Sequence, residues 1–252
     1  MRLVRRVFVV GALASLAVGF VPSASAQTPT VISVIGSADG LSASLDVTVI
    51  EVSESLAVGP TPTVTLPATG GTVSDEALGF SEDVASAVSL SAATLAASTQ
   101  GELGPAGNAS AEAVAEELSL AIVGAAGLIE AEAISASCAA DLGGVTGTTT
   151  LVGASVLGEA LAVDPAPNTV VPISVPTLGD ATVTLNQQIQ NADGSLSVTA
   201  LLVEIDISVA FGQGLLAIEA SLAFGPATCG VVEGEIPPPV PAPIEVTPRF
   251  TG

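Results

Sequence analysis

Over residues 41–52 apolar and polar side chains alternate: Leu41, Ala43, Leu45, Val47 and Val49 fall on one face, and Ser42, Ser44, Asp46 and Thr48 on the other. A period of two predicts a strand with one face buried and the other in water. Residues 30–35, just before it, are rich in β-branched side chains, and Ala38-Asp39-Gly40 reads as a turn between the two. Residues 59–67 are punctuated by prolines and read as extended, with Gly70-Gly71 as a turn after them. Strand patterns return at 151–163, 182–190, 196–207 and 215–224, and Asp193-Gly194 reads as a hairpin turn.

Two segments resist this reading. Residues 109–120 combine Ala, Glu and Val and have helix propensity, and residues 83–98, rich in Ala and Ser, fit either state. Their neighbours are β and their Ser/Thr content is high, so both are assigned mainly to strand. The expectation is an all-β, β-sandwich-like single domain over residues 27–230, followed by a Pro-rich tail at 231–252. Two faint internal echoes, residues 56–64 with 161–169 and residues 117–133 with 204–220, have unequal lags of about 105 and 87 residues. Unequal lags argue against a regular solenoid and are compatible with two related sheets facing each other, or with chance.

The ends of the chain change the picture of where it works. Arg2, Arg5 and Arg6 precede an uncharged apolar run over 7–21, and Ala24 and Ala26 satisfy the small-x-small rule. Residues 1–26 therefore read as a secretory signal cleaved between Ala26 and Gln27, leaving no membrane span. Arg5-Arg6-Val7-Phe8-Val9 resembles a twin-arginine signal, but the arginines sit very early and the run is strongly apolar, which favours the general secretory route. At the other end, Pro237-Pro238-Pro239-Val240-Pro241-Ala242-Pro243 is polyproline-like and marks a flexible tail.

Cleavage would remove three of the four basic residues. The remainder keeps Arg249 against 25 acids, a formal charge of −24, with no Lys, His, Trp or Tyr. Such a chain repels nucleic acid and anionic membrane, and its charge reads first as a solvated surface. Abundant Val, Ile, Leu and Ala separate it from disordered acidic chains and allow a core of small aliphatic side chains. Cys138 and Cys229, the only cysteines, are an even count in an exported chain and are expected to form one disulfide. Two cysteines without histidine make a poor zinc site.

Candidate chemistry is thin. Leu66-Pro67-Ala68-Thr69-Gly70 spells a sortase sorting signal, yet neither an apolar span nor a basic tail follows it, so it reads as a strand end and turn. Acidic pairs recur at Asp75/Glu76, Glu82/Asp83, Glu116/Glu117, Glu130/Glu132 and Glu204/Asp206. In strands the last two pairs each share a face. Paired carboxylates serve Ca²⁺ binding or glycoside hydrolysis, but no calcium-loop spacing occurs, and Trp and Tyr, the usual sugar platforms, are absent. Without His there is no Ser-His or Cys-His couple, and without Lys no Schiff base or P-loop. Gly143-Gly144-Val145-Thr146-Gly147 lacks the strand-turn-helix setting of a dinucleotide site.

Several segments taken in order resemble the choice-of-anchor P family, exported proteins common in actinobacteria. They are Gly36-Ser37-Ala38-Asp39-Gly40-Leu41, the run from Gly59 to Pro67, Gly144-Val145-Thr146-Gly147, Pro165-Ala166-Pro167-Asn168-Thr169, and Val183-Thr184-Leu185-Asn186-Gln187-Gln188 followed by Val198-Thr199-Ala200-Leu201. The likeness covers roughly residues 31–230. It departs at Leu201-Leu202-Val203, where a His-containing variant would be expected, and after the final strands, where members typically carry a surface anchor and this chain has the Pro-rich tail. The resemblance implies an extracellular β domain and no catalytic residues. The reading as a whole is an exported cell-surface or matrix protein with a structural or adhesive role, without cofactor or catalysis. Its partners are expected to be further copies, joined through strand edges and the tail, or envelope components. The alternatives are a ligand- or Ca²⁺-binding domain and, behind it, a carboxylate-pair hydrolase.

Overall fold

The computed structural model describes residues 28–50, 52–175, 178–211 and 214–235; the expected signal, its cleavage position Ala26/Gln27 and the Pro-rich run lie outside them. Two antiparallel sheets pack face to face, as expected. The chain enters the first sheet with β1 (Pro29–Val49) and β2 (Val52–Thr65). It then builds the second from β3 (Gly71–Val84), β4 (Val88–Glu102), β5 (Asn108–Ile122), β6 (Ala125–Asp141), β7 (Gly144–Val152) and the two-residue strands β8 (Ser155–Val156) and β9 (Glu159–Ala160). It returns to the first with β10 (Thr169–Val175), β11 (Gly179–Gln190), β12 (Leu196–Phe211) and β13 (Gly214–Glu235). The first sheet runs β10-β11-β12-β13-β1-β2; the second runs β3-β4-β5-β6, with β7 and the β8–β9 hairpin both on β6. Residues 109–120 are strand, and 83–98 are strand apart from the β3–β4 turn at 85–87, so sheet context overrides the helix propensity of their alanines and glutamates. The echoing segments 117–133 and 204–220 span hairpins, one in each sheet.

The core is aliphatic. Leu41, Leu45, Leu95, Leu118, Ile134, Leu185 and Phe224 are among its fully buried members. In β1, Leu41, Ala43, Leu45 and Val47 are buried while Ser44 and Asp46 are exposed, so the alternation read from sequence is the one that forms.

Ala38-Asp39-Gly40 is not a turn. It lies inside β1, paired with β13 through Ala38–Ala227 and Leu41–Phe224. Gly40 serves close packing instead: a Cβ there would stand 2.7 Å from Pro62 Cδ, 2.8 Å from the Thr61 carbonyl oxygen and 2.9 Å from Leu95 Cβ of the opposite sheet. The alternation changes phase at this level. Consecutive residues are buried at Gly40-Leu41, Ala200-Leu201, Phe224-Gly225 and Leu185-Asn186, one site in each of β1, β12, β13 and β11. These sites adjoin one another through the pairs Leu41–Phe224, Leu201–Phe224 and Leu185–Leu201, and the register does not slip. In the second sheet the step between buried positions lengthens in the same way, from Ala92 to Leu95, Ala115 to Leu118 and Ala131 to Ile134. Backbones with positive φ mark the rows: Asn186 (49°) and Gly225 (64°) in one sheet, Gly79 (67°) and Glu117 (50°) in the other. A left-handed residue re-aims the side chains beyond it, so each sheet is creased with its ladder kept, except between β1 and β2, where the register shifts between Leu41 and Ala43.

Other boundaries differ from expectation. The predicted strand over 151–163 stops at Val152, and short β8 and β9 and an irregular segment follow. The turn before β3 sits at Ala68 and Thr69, with Gly71 already in the strand. The last strand continues past Gly230 to Glu235, where Val231, Val232 and Glu233 pair with Val34, Ser33 and Val31 of β1.

Candidate functional site

Cys138 of β6 and Cys229 of β13 form a disulfide with Cα atoms 5.7 Å apart. Both are buried, so the bond ties the two sheets together through the core. It closes a separation of 91 residues, for which the chain-entropy model gives about 4–5 kcal/mol as an upper bound.

Beside it three of the sequence motifs meet. The Asn186 side chain is buried. Its Oδ1 accepts from Thr149 Oγ1 at 3.2 Å and Gln188 Nε2 at 3.0 Å, and its Nδ2 donates to the Pro165 carbonyl at 2.9 Å. Gln188 Nε2 also donates to the Gly147 carbonyl at 3.0 Å, and the Gln188 backbone N–H donates to Asn168 Oδ1 at 2.9 Å. Asn168 N–H closes the circuit on the Asn186 carbonyl at 2.8 Å. A Cβ on Gly147 would collide with Val198. Gly144–Gly147, Pro165–Thr169 and the Asn186–Gln188 segment thus form one satisfied polar seam joining β7 of one sheet to β11 of the other. Such a network fixes a unique arrangement of the two sheets at this level. Sequence reasoning found these segments but not their contact. The signal available was the run Asn186-Gln187-Gln188, in which Gln187 takes the apolar phase set by Val183 and Leu185.

The acids are arranged very differently. Glu204 and Asp206 share the outer face of β12, as the period of two required. Asp206 stands directly opposite Glu219 of β13, and Glu219 directly opposite Asp46 of β1. With Asp180 these carboxylates line a shallow groove of about 470 Å³. Glu130 and Glu132 are exposed on β6, and Glu116 and Glu117 are both exposed because the positive φ at Glu117 falls between them and the next inward residue. Asp75, Glu76, Glu82 and Asp83 lie along the edge strand β3. Like charges in direct opposition cost stability, and among the described residues no basic side chain offsets them. Nor do the described residues hold a group of three or more His, Cys, Asp or Glu that could bind a metal ion.

The carboxyl of Asp193 is held in a specific way. The Ser195 hydroxyl, at 2.7 Å, and then the Ser195 backbone N–H, at 3.0 Å, hold Asp193 below its usual value. This is the β11–β12 turn, a structural use.

In the Leu66-Pro67-Ala68-Thr69-Gly70 segment Leu66 is buried, its N–H donates to the Gly36 carbonyl at 2.8 Å, and Val34 N–H donates to the Ala68 carbonyl at 3.2 Å. The segment is held against β1 as a turn.

A markedly apolar opening lies where the sheets part on the β10 side. Val156, Leu161, Val171, Ile173 and Leu185 line a cleft of about 580 Å³, with the exposed carboxylates Glu159 and Asp164 also on its wall. Leu157 on its wall and Val163 and Val170 on the bordering segments are exposed large apolar residues. Sequence reasoning missed this cleft, because a segment read as one strand supplies half of it. No helix among the described residues is long and apolar enough to cross a membrane. No family model, curated protein or solved structure matches the chain.

Proposed function

We propose that this chain is an exported structural or adhesive domain of the cell surface or extracellular matrix, without catalytic activity. One observation carries the reading. Every described carboxylate with a special partner or buried polar group with a network is used to hold the fold, and the remaining acids face outwards from a disulfide-tied aliphatic core. A domain of this kind presents two wide charged and hydroxyl-bearing faces and resists unfolding outside the cell. The buried disulfide fits an oxidising compartment, the apparent signal at residues 1–26 supplies the route, and the resemblance to choice-of-anchor P proteins points the same way.

A second reading, cation association, is favoured by the Asp46–Glu219–Asp206 row. Its form is diffuse screening and bridging between molecules.

Fractionating the native host with an antibody tests the main proposal. The protein is expected in the wall, matrix or medium pools. A cytoplasmic pool would overturn it. So would turnover of a glycan panel that disappears in a Glu204→Gln, Asp206→Asn double variant.

A further inference from the structure

We propose that the cleft between the β8–β9 hairpin and β10 is a receptor for Arg249 and Phe250 of a second copy, so that copies join tail to cleft. The inference deepens the matrix reading above and rests on it only for its biological use.

The cleft has the chemistry for this pair. Val156, Leu161, Val171 and Ile173 offer an apolar wall, with Glu159 and Asp164 beside it. Its volume of about 580 Å³ lies within the range of pockets that enclose a ligand of several side-chain groups. It asks for an apolar group next to a cation. Arg249 is the only basic residue after Arg6, and Phe250 adjoins it. A phenyl ring against the aliphatic wall and a guanidinium on the two carboxylates would satisfy both halves, and Arg is suited to carboxylate recognition at interfaces. Against a net acidic neighbour, Arg249 also supplies the one local charge of opposite sign.

Reach favours a neighbour's cleft over the chain's own. Leu185 is level with Phe224 through Leu201. The cleft is therefore about 36 Å back along β13 from Glu235, and about 14 Å to the side across three strand spacings, at roughly 3.3 Å per residue and 4.8 Å per strand. That is a span of roughly 39 Å. Residues 236–248, extended as polyproline at about 3.1 Å each, cover roughly 40 Å. A tail reaching its own cleft would be taut and would have to run straight back along the domain. A neighbour's cleft carries no such constraint, and a tail-to-cleft contact propagates from copy to copy.

The free strand edges do not compete. Pro60 and Pro62 interrupt β2, Pro172 interrupts β10, four acids line β3, and Gln188 and the Val163 carbonyl occupy hydrogen-bonding groups of β7.

The test uses the full exported chain at about 0.15 M salt, where charge repulsion beyond roughly 8 Å is screened. Sedimentation velocity of the wild type should show association that grows with concentration. An Arg249→Glu, Phe250→Ser variant and a Glu159→Gln, Asp164→Asn variant should each sediment as less-associated species. An equimolar mixture of the two should recover dimers, since the first keeps an intact cleft and the second an intact tail. A labelled peptide of residues 240–252 should bind the tail variant at least tenfold more tightly than a scrambled peptide, and bind Val171→Glu in that background weakly; circular dichroism checks that this variant folds. Wild type that stays monomeric throughout, tail and cleft variants that associate like wild type, or a scrambled peptide that binds equally would each overturn the proposal. Those failures leave the antibody fractionation untouched, so the docking and the surface location are judged separately.

Discussion

Gly40 and Asn186 show how single residues set the packing here. Gly40 lets β1 approach Pro62 and Leu95, and any Cβ at that position must displace backbone as well as side chain. Gly40→Ala is expected to cost about 1–3 kcal/mol by overpacking, whereas Gly59→Ala, with open space around its Cβ, should stay within about 0.5 kcal/mol. Denaturant midpoints of the two variants compare them directly, and equal midpoints would contradict the account of β1. Asn186 combines a left-handed backbone with three side-chain hydrogen bonds. Asn186→Ala should cost about 2–4 kcal/mol, from stranded partners and backbone strain together. Asn186→Gly loses the same hydrogen bonds but relieves the strain, so it should cost less. A reversed order in equilibrium unfolding would show that the left-handed backbone at this position is not a source of strain. At the β11–β12 turn the sign of the pH effect follows from the Ser195 contacts. They depress the Asp193 carboxyl below 3.8, so its stabilisation is complete above that value and is lost as the pH falls through the lower folded-state value. The melting-temperature gap between wild type and Asp193→Ala should be constant near neutrality and narrow only below pH 3.8. A gap that persists unchanged in acid would mean the carboxylate form is not what matters.

At the scale of strands, what could be read in the sequence depended on distance from the crease. Residues 41–49 lie wholly on one side of it, and their alternation is the observed one. Residues 38–41 cross it, and the phase change there resembles the end of one strand and the start of another. That is why one strand was read as two with a turn between them. The same break runs through 115–118, where Ala115 and Leu118 both face inwards; an alternation count fails there and a helical spacing is matched by accident. Periodicity reports the side a residue faces, not the positive φ that switches sides, and Glu117 gives no compositional hint of it. The carboxylate faces were legible as pairs on one strand, but their opposition across strands, Asp46 to Glu219 to Asp206, needs the register. The seam at Asn186 was legible only as separate motifs for the same reason.

For the whole molecule the balance lies between a stapled aliphatic core and a surface of one sign. On the proposed removal of residues 1–26 the formal charge would be −24, and copies should repel at low salt. The Debye length falls from roughly 30 Å at 0.01 M to roughly 3 Å at 1 M. Association measured by light scattering should therefore rise with salt, with Ca²⁺ and as the pH approaches the carboxylate range near 4. A constant monomer mass across that series would favour a soluble binding role instead. Guarded strand edges mean that any rise should come through faces and tail and not through strand addition. Export of an oxidised, charge-covered sandwich is tested most directly by intact-mass and unreduced peptide mapping of the native protein recovered from culture medium and wall extracts. A chain starting at Gln27 with Cys138 and Cys229 linked in one peptide pair is the predicted result. A chain retaining residues 1–26 inside the cell, with both thiols free, would contradict it.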